Sequence, residues 1–244
     1  MRYLSKFESF FISIKQNRWV LWFSYFNRIA LAAGFIPAGL VKIFDERFAS
    51  GLSIIHPMGT YLNAFWHTGY YYTFVGLAQL LAAILLLIPR TVTLGALIYF
   101  PIILNIFILS YAVRFDGSLL TSPLMTLSCV FLLCWNYDRL KFILPLKNPH
   151  PINLPKPIKY SNKFPIKFFF ISTAAFLVVV VSVFSMNSYL IMPRNTISYC
   201  NEQFEGTERT KAGADFCDCV HVAGNPLDSC LEKYEMAKDN LRAE

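Results

Sequence analysis

Charge is what this sequence has least of. Only 15% of its 244 residues are Asp, Glu, Lys or Arg, whereas soluble domains average nearer 25%. The devices that mark familiar chemistries are also missing. There is no glycine-rich phosphate loop, which sets aside nucleotide phosphate binding, and no His-Glu-x-x-His, which sets aside the zincin type of metal hydrolysis. C-x-x-C and C-x-x-C-H are absent, and with them the usual dithiol and covalent haem attachments. The apolar runs contain no paired carboxylates and no pair of histidines, so nothing there holds a haem between two imidazoles. Asp45, Glu46, Asp116 and Asp138 fall at the edges of those runs, whereas proton-coupled transporters commonly place an acid or histidine mid-membrane. Catalysis by this chain alone is not expected.

What the sequence has in quantity is apolar length. Hydrophobic residues make up 55% of it, with 23 Phe and 13 Tyr, and the mean hydropathy is +0.45. Five runs stand out: Ile29–Phe44, Tyr71–Ile88, Val92–Val113, Leu119–Trp135 and Phe168–Met192. A helix needs roughly 17–25 residues to cross the ~30 Å hydrocarbon core, so the expected class is an all-α, multi-pass membrane helix bundle.

The basic residues fall in alternate gaps. The segment before the first run, the turn at Pro89–Thr91 and the gap from Asn136 to Lys167 together hold 13 Lys and Arg. The two other gaps hold three, Lys42, Arg47 and Arg114. The positive-inside bias then places the N-terminus in the cytoplasm and, after five crossings, the C-terminal tail outside. The net charge of +7 divides the same way. From Arg194 onward there are six basic against ten acidic residues, and before it sixteen against five. That excess lies beside the spans, where anionic headgroups account for it, and no nucleic-acid partner is expected. Met1–Arg18 has scattered charges and no small-residue cleavage site, so no cleavable signal peptide is expected there.

The reading along the chain gives five parts. Residues 1–27 form a cytoplasmic amphipathic lead-in, with Phe7, Phe10, Phe11 and Ile14 at helical spacing. Residues 28–140 hold four spans, with a short helix expected at Tyr61–His67 in the long outer loop. Residues 141–167 alternate prolines with lysines and read as an extended linker. Residues 168–192 form the fifth span, and 193–244 an extracytoplasmic tail. Pro101 is expected to bend the third span. Arg28 and Arg114, near span ends, read as anchors that snorkel to headgroups.

Residues Arg28-Ile29-Ala30-Leu31-Ala32-Ala33-Gly34-Phe35-Ile36-Pro37-Ala38-Gly39-Leu40-Val41-Lys42 resemble the first helix of the DoxX-like family. Gly76-Leu77-Ala78-Gln79, Leu85–Thr91 and Leu94-Gly95-Ala96 resemble its second and third, and Leu133-Cys134-Trp135-Asn136-Tyr137-Asp138-Arg139-Leu140 the end of its fourth. The resemblance implies a four-helix membrane bundle of a bacterial inner membrane. Some members are linked to quinone-coupled sulfur oxidation or thiol redox protection, so it implies a redox- or quinone-associated accessory subunit with quinone as the candidate cofactor. It transfers no catalytic residue. The fifth span and the tail lie beyond it and leave a second reading open, a non-enzymatic scaffold that presents the tail to an extracytoplasmic partner. A membrane thiol oxidoreductase is a third.

Two groups of residues carry candidate chemistry. Gln79 and Asn105 lie inside spans, where polar side chains either bond across helices or line a ligand pocket. His67, with Trp66, Tyr70 and Tyr71, stands near the outer face. It is either part of an aromatic belt or a donor to a quinone head group. In the tail are Cys200, Cys217, Cys219 and Cys230. With His221 they could supply four zinc ligands, but paired C-x₂₋₄-C spacings are missing and no metal site is assigned. In an oxidising compartment two disulfides are expected. Cys217 and Cys219 are too close to bond each other without strain, so each pairs with Cys200 or Cys230, stapling helices near Ala212–Val222 and Asp228–Leu241 with Asp228 as N-cap of the second. Cys129 and Cys134 lie about 140° apart around a helix and read as small apolar residues. Mass analysis after alkylation, with and without reduction, should find two disulfides. Four freely alkylated tail thiols in protein taken from the membrane would overturn this.

Overall fold

The computed structural model describes residues 11–143 and 160–240. The outer parts of the expected lead-in and linker, residues 1–10 and 144–159, lie outside the described residues. Among the described residues, 11–15 are helical, and after them come α1 (Arg18–Ile43), α2 (Pro57–Trp66), α3 (Tyr70–Leu87), α4 (Val92–Ala112), α5 (Thr121–Trp135), α6 (Tyr137–Leu140), α7 (Ile166–Tyr189), α8 (Ile197–Glu202), α9 (Thr210–His221) and α10 (Leu227–Asn240). No strand occurs among the described residues.

Among the described residues four helices, α1, α3, α4 and α7, are long and apolar enough to cross a membrane. The expected fourth span is shorter. At 15 residues and 1.5 Å per residue, α5 reaches about 22 Å. Residues Leu119 and Leu120 are spent in the turn before it, and after Asn136 the chain resumes as α6. The four-residue α6 ends just before the expected linker at 141–167.

Local chemistry accounts for several shifted boundaries. The first span begins well before Ile29, because Asn17 caps it with a side-chain oxygen that accepts from the Trp19 and Val20 amides at 2.9 and 3.4 Å. The lead-in therefore ends near residue 17 rather than 27. Pro57 occupies the first position of α2, where its missing N–H costs nothing, so that helix starts earlier than Tyr61. Pro165 likewise precedes the first turn of α7, while Leu190–Met192 run extended into the tail. Leu227 begins α10, so Asp228 sits in its first turn and is not the N-cap. Helix α4 continues through Pro101.

Helices α1, α3, α4 and α5 pack in a ring, each against its neighbours and α5 back against α1. Their shared core includes Leu31, Phe35, Ala82, Ala83, Leu86, Ala96, Tyr99, Cys129 and Leu132. Phe35 stacks on Tyr99 at 3.6 Å, and the Tyr99 hydroxyl donates to the Leu31 carbonyl at 3.1 Å. Cys129 is buried and Cys134 exposed, as their separation around the helix requires. Apolar side chains gain little by leaving lipid for protein, so close backbone approach matters more. Two glycines supply it. A Cβ on Gly39 would stand 2.9 Å from the Gly76 carbonyl oxygen, and one on Gly76 would stand 2.9 Å from the Gly39 oxygen.

Arg28 is buried, and its guanidinium donates to the Leu86 and Leu87 carbonyls, both at 2.7 Å. It closes the C-terminus of α3, where a cation is favoured, and is not a headgroup anchor. Helix α7 has a single buried residue, Val179. It touches the ring at one end through Phe168 and Phe169 against Phe23.

The tail folds as a small cap. Disulfides join Cys200 to Cys217 and Cys219 to Cys230, each with Cα atoms 5.8 Å apart. Around them pack Phe204, Phe216, Val220, Leu227 and Tyr234. Helix α8, which the sequence reading missed, carries Cys200.

Replacing Gly76 with Val should destabilise the protein by about 1–3 kcal/mol through overpacking, because the obstacle is backbone and cannot swing aside. Gly51, with nothing within 4 Å of its Cβ position, is the control. Equal unfolding midpoints for Gly76→Val and Gly51→Ala in detergent would contradict the crossing.

Candidate functional site

One end of the ring opens into a cavity of about 480 Å³, within the 300–1,000 Å³ range typical of small-molecule sites. Its walls come from the C-terminal half of α1, the N-terminal half of α3, the C-terminal half of α4 and the start of α5. Helix α2 contributes Met58, Tyr61, Leu62 and Phe65 as a lip. The wall is largely apolar and aromatic, and Lys42, Gln79, Asn105 and a group of serines interrupt it.

Gln79 and Asn105, separated by 26 positions in the chain, both line this cavity. Neither makes a hydrogen bond among the described residues, so the cross-helix bonds expected as one alternative are not formed. Gln79 is 2% exposed and its Oε1 has no partner. The serines are already satisfied: Ser110 Oγ lies 2.6 Å from both the Ile106 carbonyl and Ser118 Oγ, and Ser122 Oγ donates to the Ser118 carbonyl at 2.7 Å.

His67 is not part of the cavity wall. It ends α2 as an exposed residue, and its Nδ1–H donates to the Asn63 carbonyl at 2.7 Å. The helix turns it outward, while Tyr71 beside it does reach the wall. The residue missed by the sequence reading is Lys42, counted there as an outer-loop charge. Its ammonium is buried, donates to the Ala38 carbonyl at 2.9 Å, and lies over the rings of Phe48 and Tyr72 at 4.6 and 5.7 Å. The glycine crossing brings it to this position: a Cβ on Gly76 would be 2.7 Å from Lys42 Cβ, and one on Gly39 would be 3.5 Å from Gln79 Cβ. Lys42 and Gln79 thus flank one close contact from opposite helices. The Tyr72 hydroxyl, which donates to the Glu46 carbonyl at 2.8 Å and accepts from the Phe48 amide at 2.9 Å, ties the loop after α1 over them.

The cap meets the ring near this end. Arg194 faces Asp116 at 3.4 Å and donates to Asn187 Oδ1 at 2.6 Å. Arg114, expected as a headgroup anchor, instead donates to the Ile191 carbonyl. His221 Nε2–H donates to the Pro193 carbonyl at 2.7 Å, and its ring lies 5.7 Å from that of His56. The four tail sulfurs are committed to one another in disulfides.

His56 is fully buried and caps α2, its Nδ1 accepting from the Met58 amide at 3.1 Å. Burial pushes its imidazole down to about 4, with His221 adding to the effect and the Arg194 backbone opposing it. The unfolded chain, with an ordinary histidine near 6.5, takes up the proton first as pH falls. The stability that a neutral His56 contributes is therefore present above about pH 6.5 and declines toward pH 4, reaching about 3 kcal/mol in total. The unfolding midpoint should fall between pH 6.5 and 4.5. His56→Asn, which keeps a capping oxygen, should flatten that fall. An unchanged slope in the variant would contradict this assignment.

No family model matches the chain, and no solved structure matches it. A relative with a similar sequence is the uncharacterized protein YwoB of Bacillus subtilis (strain 168). It is 38% identical over 121 residues, which are 48% of this chain and 77% of YwoB. With that identity over that share of the relative, the chain belongs to the same family as YwoB.

Proposed function

We propose that this chain is a DoxX-like protein of a bacterial inner membrane that serves as a redox- or quinone-associated accessory subunit. The cavity is where the quinone head group resides. The observation that carries the reading is a lipid-scale pocket with aromatic walls, lined by Gln79 and Asn105, neither of which makes a hydrogen bond among the described residues. A quinone's two carbonyl oxygens accept hydrogen bonds, and an amide NH₂ supplies two donors. The resemblance of residues 28–140 to the DoxX-like family supports it as well. The charge bias between gaps supports a cytoplasmic N-terminus and an extracytoplasmic cap, with the cavity then in the outer half of the bundle.

The second reading, a scaffold for a partner outside the membrane, draws on the cap. The cap has its own disulfide-linked core, a construction suited to an exposed, oxidising setting.

Protein purified in native-like membrane discs should carry quinone on organic extraction, at least several-fold above a Gln79→Leu variant. Deleting Arg194–Glu244 should leave that content in place while removing any partner captured by crosslinking. Absence of both quinone and a redox partner would remove the accessory-subunit reading. Loss of the cellular phenotype on deleting the tail, with no quinone in the full chain, would favour the scaffold.

A further inference from the structure

Among the described residues, Lys42 is the one charged residue that lines the cavity, and its charge is not matched. The residue is 5% exposed. Among the described residues no carboxylate comes within 4.0 Å of it, the ion pairs there being Lys15 with Asp138 and Arg194 with Asp116. The ammonium has three protons to donate, and the structure satisfies one, through Ala38. The rings of Phe48 and Tyr72 offset part of the remaining charge. A lysine that merely anchors a helix end extends its head to water or headgroups. This one is turned inward onto a cavity wall.

Arg28 shows how the same ring satisfies a buried cation when nothing else is needed. Two backbone carbonyls at the end of α3 receive its guanidinium, and it does not line the cavity. Gln79 supplies a second, independent sign. Its side chain lines the cavity with its Oε1 unpartnered, and its NH₂, which makes no hydrogen bond among the described residues, is a further donor that an anionic head can accept from. The cavity therefore offers an unpaired positive charge with free donors at its polar edge and aromatic and aliphatic wall beyond it.

We propose that the cavity selects a single-chain amphiphile with an anionic head, of the fatty-carboxylate class. The carboxylate takes the free protons of Lys42, and the chain lies along the wall formed by Phe35, Phe65 and Ile106. A carboxylate oxygen restores the charge balance that the protein leaves open, which a neutral carbonyl cannot. The inference rests on reading the cavity as a ligand site, and is separate from the identity of that ligand as a quinone.

The test uses the full-length protein, delipidated in a non-ionic detergent, with binding measured by native mass spectrometry. The probes are oleate, oleyl alcohol, decylubiquinone and 1-oleoyl lysophosphatidate. Oleate should bind at least tenfold more tightly than oleyl alcohol, which has the same chain without the charge. Lys42→Gln should bring that ratio to within about twofold while leaving the alcohol's affinity unchanged. Equal binding of oleate and the alcohol by the unaltered protein overturns the proposal whether or not the variant folds. A ratio that survives in a folded Lys42→Gln protein also overturns it, since the charge preference then lies elsewhere. Lysophosphatidate binding more than tenfold above oleate would replace the carboxylate class with a phosphate head. Decylubiquinone binding without a preference for oleate removes this inference and leaves the quinone reading in place. Oleate binding that decylubiquinone does not compete supports the inference and removes the quinone reading. No binding of any probe overturns both.

Discussion

The contact between Gly39 and Gly76 is the constraint on which the rest of the ring depends. Lipid gives helices no solvent to escape from, so their association relies on how closely backbones can approach. Here each glycine's missing Cβ lies 2.9 Å from the other's carbonyl oxygen. Any side chain at either position separates α1 from α3. The same contact locates the polar edge of the cavity, because Lys42 lies three residues after Gly39 and Gln79 three residues after Gly76. Residues three apart share a helix face, so each glycine brings its polar neighbour to the crossing.

Around that crossing the ring handles its polar groups in two ways. Arg28, Tyr99, Ser110 and Ser122 are satisfied by backbone carbonyls or by one another. They act as internal fastenings. Gln79 and Asn105 are not so satisfied, and Lys42 is only partly so. For the buried Gln79 and Lys42 the difference matters because an unpaired polar group away from water is expensive. A bundle that only needed to be stable would have apolar residues there.

The cap is a separate solution to a different problem. It is too small to rely on its apolar cluster alone, and two disulfides close short loops within it. Its attachment to the ring is polar, through Arg114, Arg194, Asp116 and the neighbourhood of His56 and His221. Burying a histidine between the two parts makes that junction sensitive to acid, whereas the ring's own packing has little that titrates below pH 7.

The residues by themselves determined the all-helical class, the apolar helices of span length and the cysteine cap, because hydrophobic length and cysteine spacing are local properties. They also singled out Gln79 and Asn105, since a lone amide within an apolar run is conspicuous. They left open which cysteines pair, because Cys217 and Cys219 are equivalent in spacing, and only the packing of α8, α9 and α10 chose between them. They misplaced Arg28 and Arg114, which looked like headgroup anchors at span ends, and Lys42, which was counted as an outer-loop charge. Where a long cation sends its head depends on which carbonyls, rings or cavities the neighbouring helices present, and those come from residues tens of positions away. His67 failed for the complementary reason. It lies close in the chain to the cavity-lining Phe65 and Tyr71, but as the exposed C-cap of α2 it does not line the cavity.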